Sequence, residues 1–229
     1  MSKSVYSIVL DDNVVSKVDE VAKKNNVNRS ALINKILADS LNVVTPEKRY
    51  LDIYNLVNDI FSASTFSILQ APAENSMAVT SIMNFKYNPT IKYHVELYRY
   101  ENEGNIGKLR IQLRTRNAPL LERLDCFFRL WALLEEKYLS PIIDHPITYQ
   151  KDDTKFTRDL MIPKKKQGTK VLAKSVCNAD DTANAIAEYI KGFDRIMKSW
   201  FDFSDDFRRA AVIAESEYTE FIKKAYYII

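Results

Sequence analysis

The stretch Ser4-Val5-Tyr6-Ser7-Ile8-Val9-Leu10-Asp11-Asp12, followed by Asn13 to Asn25, by Val27-Asn28-Arg29-Ser30 and by Ala31 to Leu41, decides how this chain is read. Tyr6, Ile8 and Leu10 alternate with Val5, Ser7 and Val9, and a period of two puts the sets on opposite faces of a strand. Asp11, Asp12 or Asn13 can then accept backbone N–H bonds as the cap of a helix. In that helix Val15, Val18, Val21 and Ala22 recur at helical spacing and form one apolar stripe. Asn25-Asn26 ends it, because asparagine tolerates left-handed backbone. Asn28 or Ser30 caps a second helix whose stripe is Leu32, Ile33, Ile36, Leu37 and Leu41. A unit this small cannot bury its own apolar face, so the pattern predicts a dimer.

Strand, helix, Val-Asn-Arg-Ser turn, helix: residues 3–43 resemble the ribbon-helix-helix family of DNA-binding proteins, with Arg29, Ser30 and Ile33 standing in the turn. The resemblance implies that two chains pair their strands into an antiparallel ribbon that enters the major groove of double-stranded DNA. It places Val5, Ser7 and Val9 against base edges, and Lys3, Asn28, Arg29 and Ser30 at phosphates, where the start of the second helix offers free backbone N–H groups. It places Tyr6, Ile8, Leu10, Ile33 and Leu37 in the dimer core. Val5 and Val9 can touch a thymine methyl but form no hydrogen bond, which leaves Ser7 as the one polar reader.

The first 43 residues form this module, residues 44–48 a hinge and residues 49–229 a larger α+β domain. Residues 47–63 read as a helix with Tyr50, Ile53, Tyr54, Val57, Ile60 and Phe61 on one face, and residues 62–76, with Pro72, as loop or a mixed segment. Strand patterns follow in Met77–Tyr87, Ile91–Tyr100 and Gly107–Arg116, separated by the turn signals Asn88-Pro89-Thr90 and Glu101 to Asn105. In the second, Tyr93, Val95 and Leu97 alternate with Lys92, His94, Glu96 and Tyr98; in the third, Leu109, Ile111 and Leu113 alternate with Lys108, Arg110, Gln112 and Arg114. One face of an antiparallel sheet is thus apolar and the other wet. Pro119–Leu139 is a helix that covers the apolar face. Phe156–Ile162 and Lys170–Val176 read as two strands joined by Lys164-Lys165-Lys166-Gln167-Gly168, Asp180–Phe201 as a helix, and Ser204–Ile228 as a last helix with Ser204 at its cap. The predicted order of the domain is α-βββ-α-ββ-α-α.

Charge is unevenly spread within a net +3: residues 155–174 hold seven Lys/Arg against one Asp, and residues 86–116 seven against three Glu. Lys108, Arg110, Arg114, Arg116, Lys164, Lys165 and Lys166 therefore form a second basic surface suited to a polyanion. Four glycines leave no phosphate-cradling loop, and Cys126, Cys177, His94 and His145 have no zinc spacing. No catalytic residue, cofactor or metal is expected, and a binding protein fits better than an enzyme. No apolar run approaches a membrane span, and a cytoplasmic, nucleoid-associated setting is expected. The expected function is a transcriptional repressor that binds double-stranded DNA as a homodimer or higher oligomer, with residues 49–229 serving oligomerisation, a protein partner or a ligand. A plasmid or viral segregation or copy-control factor, and a protein-interaction factor that uses the ribbon only to pair, are the alternatives.

Overall fold

The computed structural model describes residues 5–73, 75–85, 88–141, 143, 146–152, 154–162 and 178–224. The chain divides into two compact units, residues 1–49 and 50–229.

In the first unit Asp11 caps α1 (Asp12–Lys24) by accepting from the Asn13 N–H at 2.8 Å. Asn26 ends α1 with φ +53°, and the N–H groups of Asn26 and Val27 bond back to the carbonyls of Lys23 (3.2 Å) and Ala22 (3.0 Å). That double return satisfies carbonyls the helix leaves open. α2 (Arg29–Ser40) repeats the device: Asn28 accepts from Ala31 N–H at its start, and Asn42, also at φ +53°, closes its end with Val43 bonded to Ala38 at 2.8 Å. The two helices pack through Val18, Ala22 and Leu32, with Val21 and Ile33 half-buried beside them.

The strand expected at the head of this unit is absent from the chain by itself. Residues 5–11 lie outside every helix and strand. An extended segment forms ladder hydrogen bonds only beside another strand, and among the described residues the sheet is built from residues 67–161 alone.

α3 (Pro46–Ser62) begins in the last residues of the first unit, and its part in the second buries Tyr50, Ile53, Tyr54, Val57 and Phe61. Among the described residues six strands follow around α4 (Ala118–Tyr138): β1 (Ser67–Ala73), β2 (Ser76–Ile82), β3 (Thr90–Asn102), β4 (Asn105–Leu113), β5 (Tyr149–Asp152) and β6 (Lys155–Met161). They form one antiparallel sheet in the order β1-β2-β3-β4-β6-β5. α5 (Ala179–Asp202) and α6 (Phe207–Lys224) complete the fold, so the class is α+β with an antiparallel sheet.

Three details differ from expectation. The segment 62–76 contains β1, whose Pro72 is tolerated because β1 is an edge strand and needs no ladder donor there. β6 pairs with β5, which precedes it across a tight turn and was not expected; the expected strand over residues 170–176 and the loop Lys164 to Gly168 lie outside the described residues. α6 starts at Phe207, with Asp206 accepting from the N–H groups of Arg208 and Arg209 at 3.1 Å. Ser204 instead donates to the Phe201 carbonyl and accepts from Arg123.

Strand alternation places the core. Tyr93, Val95, Leu109, Ile111 and Phe156 are all within 1% of full burial and face the helices. Phe193, at the centre of α5, meets Phe127, Trp131, Tyr93 and Phe156 edge-on or stacked, with ring centroids 4.6–6.3 Å apart. Burial of such large rings supplies most of the driving force of a core.

Candidate nucleic-acid interface

The first candidate surface is the N-terminal unit. Val5 and Val9 are fully exposed, Tyr6 is 83% exposed, Ile8 58%, Leu10 38% and Leu37 51%. Of the expected dimer core, Ile33 alone is half-buried, within the α1–α2 cluster. Ile36, Leu41, Val43 and Val44 are exposed as well. Ser7 is exposed; Lys3 lies outside the described residues.

Of the expected phosphate contacts, Asn28 spends its side chain as the cap of α2. Ser30 is exposed. Arg29 is engaged across the α1–α2 turn: its Nε donates to Asp19 Oδ1 at 2.6 Å, and its Nη2 donates to Asp19 Oδ2. This two-pronged pair lowers the Asp19 carboxyl below its usual range and raises the guanidinium above its own. Asp19 was not legible as a functional residue. It stands ten positions from Arg29, beyond the three- and four-residue spacings by which helical neighbours are found.

The second candidate surface is the open face of the sheet. Cross-strand register builds it in rows. Thr80, Lys92, Gln112 and Lys155 form one; Ala78, His94, Arg110 and Thr157 the next; Ser76, Glu96, Lys108 and Asp159 the third. All of these side chains except Ala78 are half-exposed. Lys108 pairs with Glu96 at 3.2 Å and Lys155 with Asp152 at 3.4 Å. Lys92 and Arg110 have no acidic partner among the described residues. His94 stands between them, with Nδ1 buried and without a hydrogen-bond partner. Burial lowers the His94 pKa below the usual imidazole value, and the charges of Arg110 and Lys92 lower it further. Of the expected basic surface, Lys108 and Arg110 are neighbours here. Arg114 and Arg116 are exposed past the end of β4, and Lys164, Lys165 and Lys166 lie outside the described residues. Lys92 belongs to the same patch; the alternation along β3 that puts it on the wet face was the signal for it.

Two polar clusters lie inside the core. Glu135 on α4 accepts from Arg158 on β6 and from Tyr149 on β5. Asp194 on α5 accepts from Ser81, Tyr93 and Lys198. Burial raises the Tyr93, Tyr149 and Tyr189 hydroxyls; Tyr93 and Tyr149 donate to Asp194 and Glu135, and Tyr189 accepts from the Trp131 Nε1–H at 2.8 Å. Both clusters tie helices to the sheet. Among the described residues no three His, Cys, Asp or Glu side chains gather as a metal site, and no helix is long and apolar enough to cross a membrane. Cys126 is a free, half-buried thiol; Cys177 and His145 lie outside the described residues.

No family model, no curated protein and no solved structure matches this chain.

Proposed function

We propose that this protein is a sequence-specific regulator of transcription, a repressor, that binds double-stranded DNA as a ribbon-helix-helix dimer through residues 3–43. The observation that carries the reading is the unpartnered apolar set of the N-terminal unit. Tyr6, Ile8, Leu10 and Leu37 are exposed around a cluster that buries only Val18, Ala22 and Leu32. A second copy would cover these side chains and give residues 5–10 a strand partner. The outward set Val5, Ser7 and Val9 would then face the major groove, with the start of α2 directed at a phosphate. The larger unit would serve oligomerisation or a partner.

A second reading has its own support. Val5 and Val9 carry no hydrogen-bonding group, and Arg29 is already held by Asp19. Both facts favour a segment that pairs two chains without reading DNA. One experiment separates the readings: selection from random-sequence duplexes with the intact protein, with sedimentation run in parallel. The regulator predicts a dimer and an enriched motif of two spaced half-sites. A dimer that enriches no motif and binds DNA without salt dependence would leave only the pairing role.

A further inference from the structure

We infer that the open face of the sheet is a second nucleic-acid contact surface, where Lys92 and Arg110 hold the phosphodiester backbone of DNA. The inference concerns a different unit from the N-terminal module and does not rest on the reading of that module.

Position comes first. β2, β3, β4 and β6 are central strands, so their outward side chains stand on a rigid, fully hydrogen-bonded platform. His94 lies directly opposite Arg110, and Lys92 directly opposite Gln112. Lys92 and Arg110 are therefore diagonal neighbours, with Cα atoms about 7–8 Å apart on an antiparallel pair.

Charge comes second. Three acids share this face among the described residues: Glu96 and Asp159 stand in the row next to Arg110, and Asp152 stands at the end of β5. Glu96 is matched by Lys108 and Asp152 by Lys155. Lys92 and Arg110 are left without an acid between them. Lys92 and Arg110 stand side by side and repel each other, and a bound anion relieves that repulsion. The His94 ring between them holds its proton less readily than usual, so at neutral pH it adds little repulsion of its own.

The chemistry of the neighbours selects the ligand. Thr80, Gln112 and Thr157 surround the two cations, and the only apolar member of these rows is the small Ala78. Phosphate oxygens are bound by Lys and Arg together with Ser, Thr, Asn and Gln side chains. The buried core of a protein–protein interface is instead rich in aromatic side chains and Met. Nothing in the two central rows offers such an anchor, which sets an acidic protein behind a nucleic-acid strand.

The test uses the intact chain and a mixed-sequence duplex, with affinity followed by fluorescence anisotropy across a salt series. Each phosphate contact contributes roughly 0.9 to the slope of log affinity against log salt. The Lys92→Ala/Arg110→Ala variant is expected to lose about 1.8 of that slope. The control Arg195→Ala/Arg208→Ala removes the same charge from exposed positions on α5 and α6 and is expected to leave the slope unchanged. Near-UV circular dichroism checks that each variant is folded. An unchanged slope in the first variant, or an equal loss in the control, would overturn the inference. So would polyglutamate competing as well as DNA, because the occupant would then be an acidic polypeptide. Ser7→Ala/Arg29→Ala, measured alongside, separates the two surfaces: its silence would count against the N-terminal reading and leave this one standing.

Discussion

Glu135 and Arg158 face each other across the boundary between α4 and β6, with neither side chain reached by solvent. Both carboxylate oxygens lie 3.1 Å from the Arg158 Nε. Nη1 donates to the Asp159 carbonyl at 3.0 Å, and the guanidinium lies 4.4 Å from the Tyr189 ring centre. Burial alone would loosen the guanidinium's proton, but Glu135, Tyr189 and Tyr149 outweigh it and raise the Arg158 pKa above its ordinary value. The pair is a pin between layers, and its energetics are asymmetric. Two charges taken from water are repaid only while each has the other.

Glu135→Gln is therefore expected to destabilise the protein by about 3–5 kcal/mol, because it leaves a buried guanidinium without its counter-charge. Glu135→Met/Arg158→Met removes both charges and is expected to recover most of that loss. Urea unfolding of the two variants decides the matter. A single variant as stable as the parent would show that solvent reaches Arg158.

Gly192 gives the opposite lesson about a substitution that normally helps. Replacing a helical glycine by alanine ordinarily gains about 0.5–1 kcal/mol. Here a Cβ on Gly192 of α5 would lie 2.5 Å from the Phe221 ring of α6. Gly192→Ala is expected to destabilise by about 1–3 kcal/mol through overpacking. In a Phe221→Ala background the same change should become neutral or stabilising. Thermal melts of the four proteins in the cycle test this, and a cost that persists without the ring would refute the packing account.

Much of this architecture was legible because its signals are periodic. The wet and dry faces of β3 and β4 follow from strict alternation, α3 follows from its apolar stripe, and α4 and α5 lie between recognisable breaks. The misses have physical causes. β1 carries Pro72, which reads as a loop until its edge position is known. β5 is only Tyr149–Asp152, too short to show a period, and is stabilised by its partner β6. Arg158 stands between Phe156 and Leu160 on the core side of an alternating strand, so its burial was readable; its partner Glu135 was not, because that contact crosses elements. The same limit applies to the candidate sites. The face that carries Lys92, His94 and Arg110 was visible, while the cross-strand register that leaves Lys92 and Arg110 unpaired had to come from the fold.

The Arg29–Asp19 pair sets a prediction for the N-terminal unit. Both side chains are about half exposed, at 54% and 45%, so the pair adds little to stability. Its consequence is for DNA. Asp19→Asn removes an anion and releases Arg29, and under the proposed function it is expected to steepen the salt dependence of binding by about one phosphate contact. Arg29→Ala is expected to flatten it by a similar amount. The comparison is an anisotropy titration at several salt concentrations. If neither variant moves the slope, the turn between α1 and α2 makes no phosphate contact.

His94 makes stability depend on pH. The group is a base whose folded pKa lies below the unfolded value of about 6.5. As pH falls through about 6.5, the unfolded chain takes up the proton first. Stability therefore declines with falling pH from that point and levels off once the folded imidazole is also charged. The groups that face the ring are Lys92 and Glu96 on its own strand and Arg110 and Lys108 on β4. Of these only Glu96 acts to raise the pKa, and it is engaged by Lys108. His94→Gln should remove this part of the pH dependence, read as the difference between the two proteins in urea midpoint at pH 7.5 and at pH 5. A proton NMR titration of the His94 ring reports the same balance directly. A midpoint above the unfolded value would mean that Glu96 outweighs burial and the flanking cations.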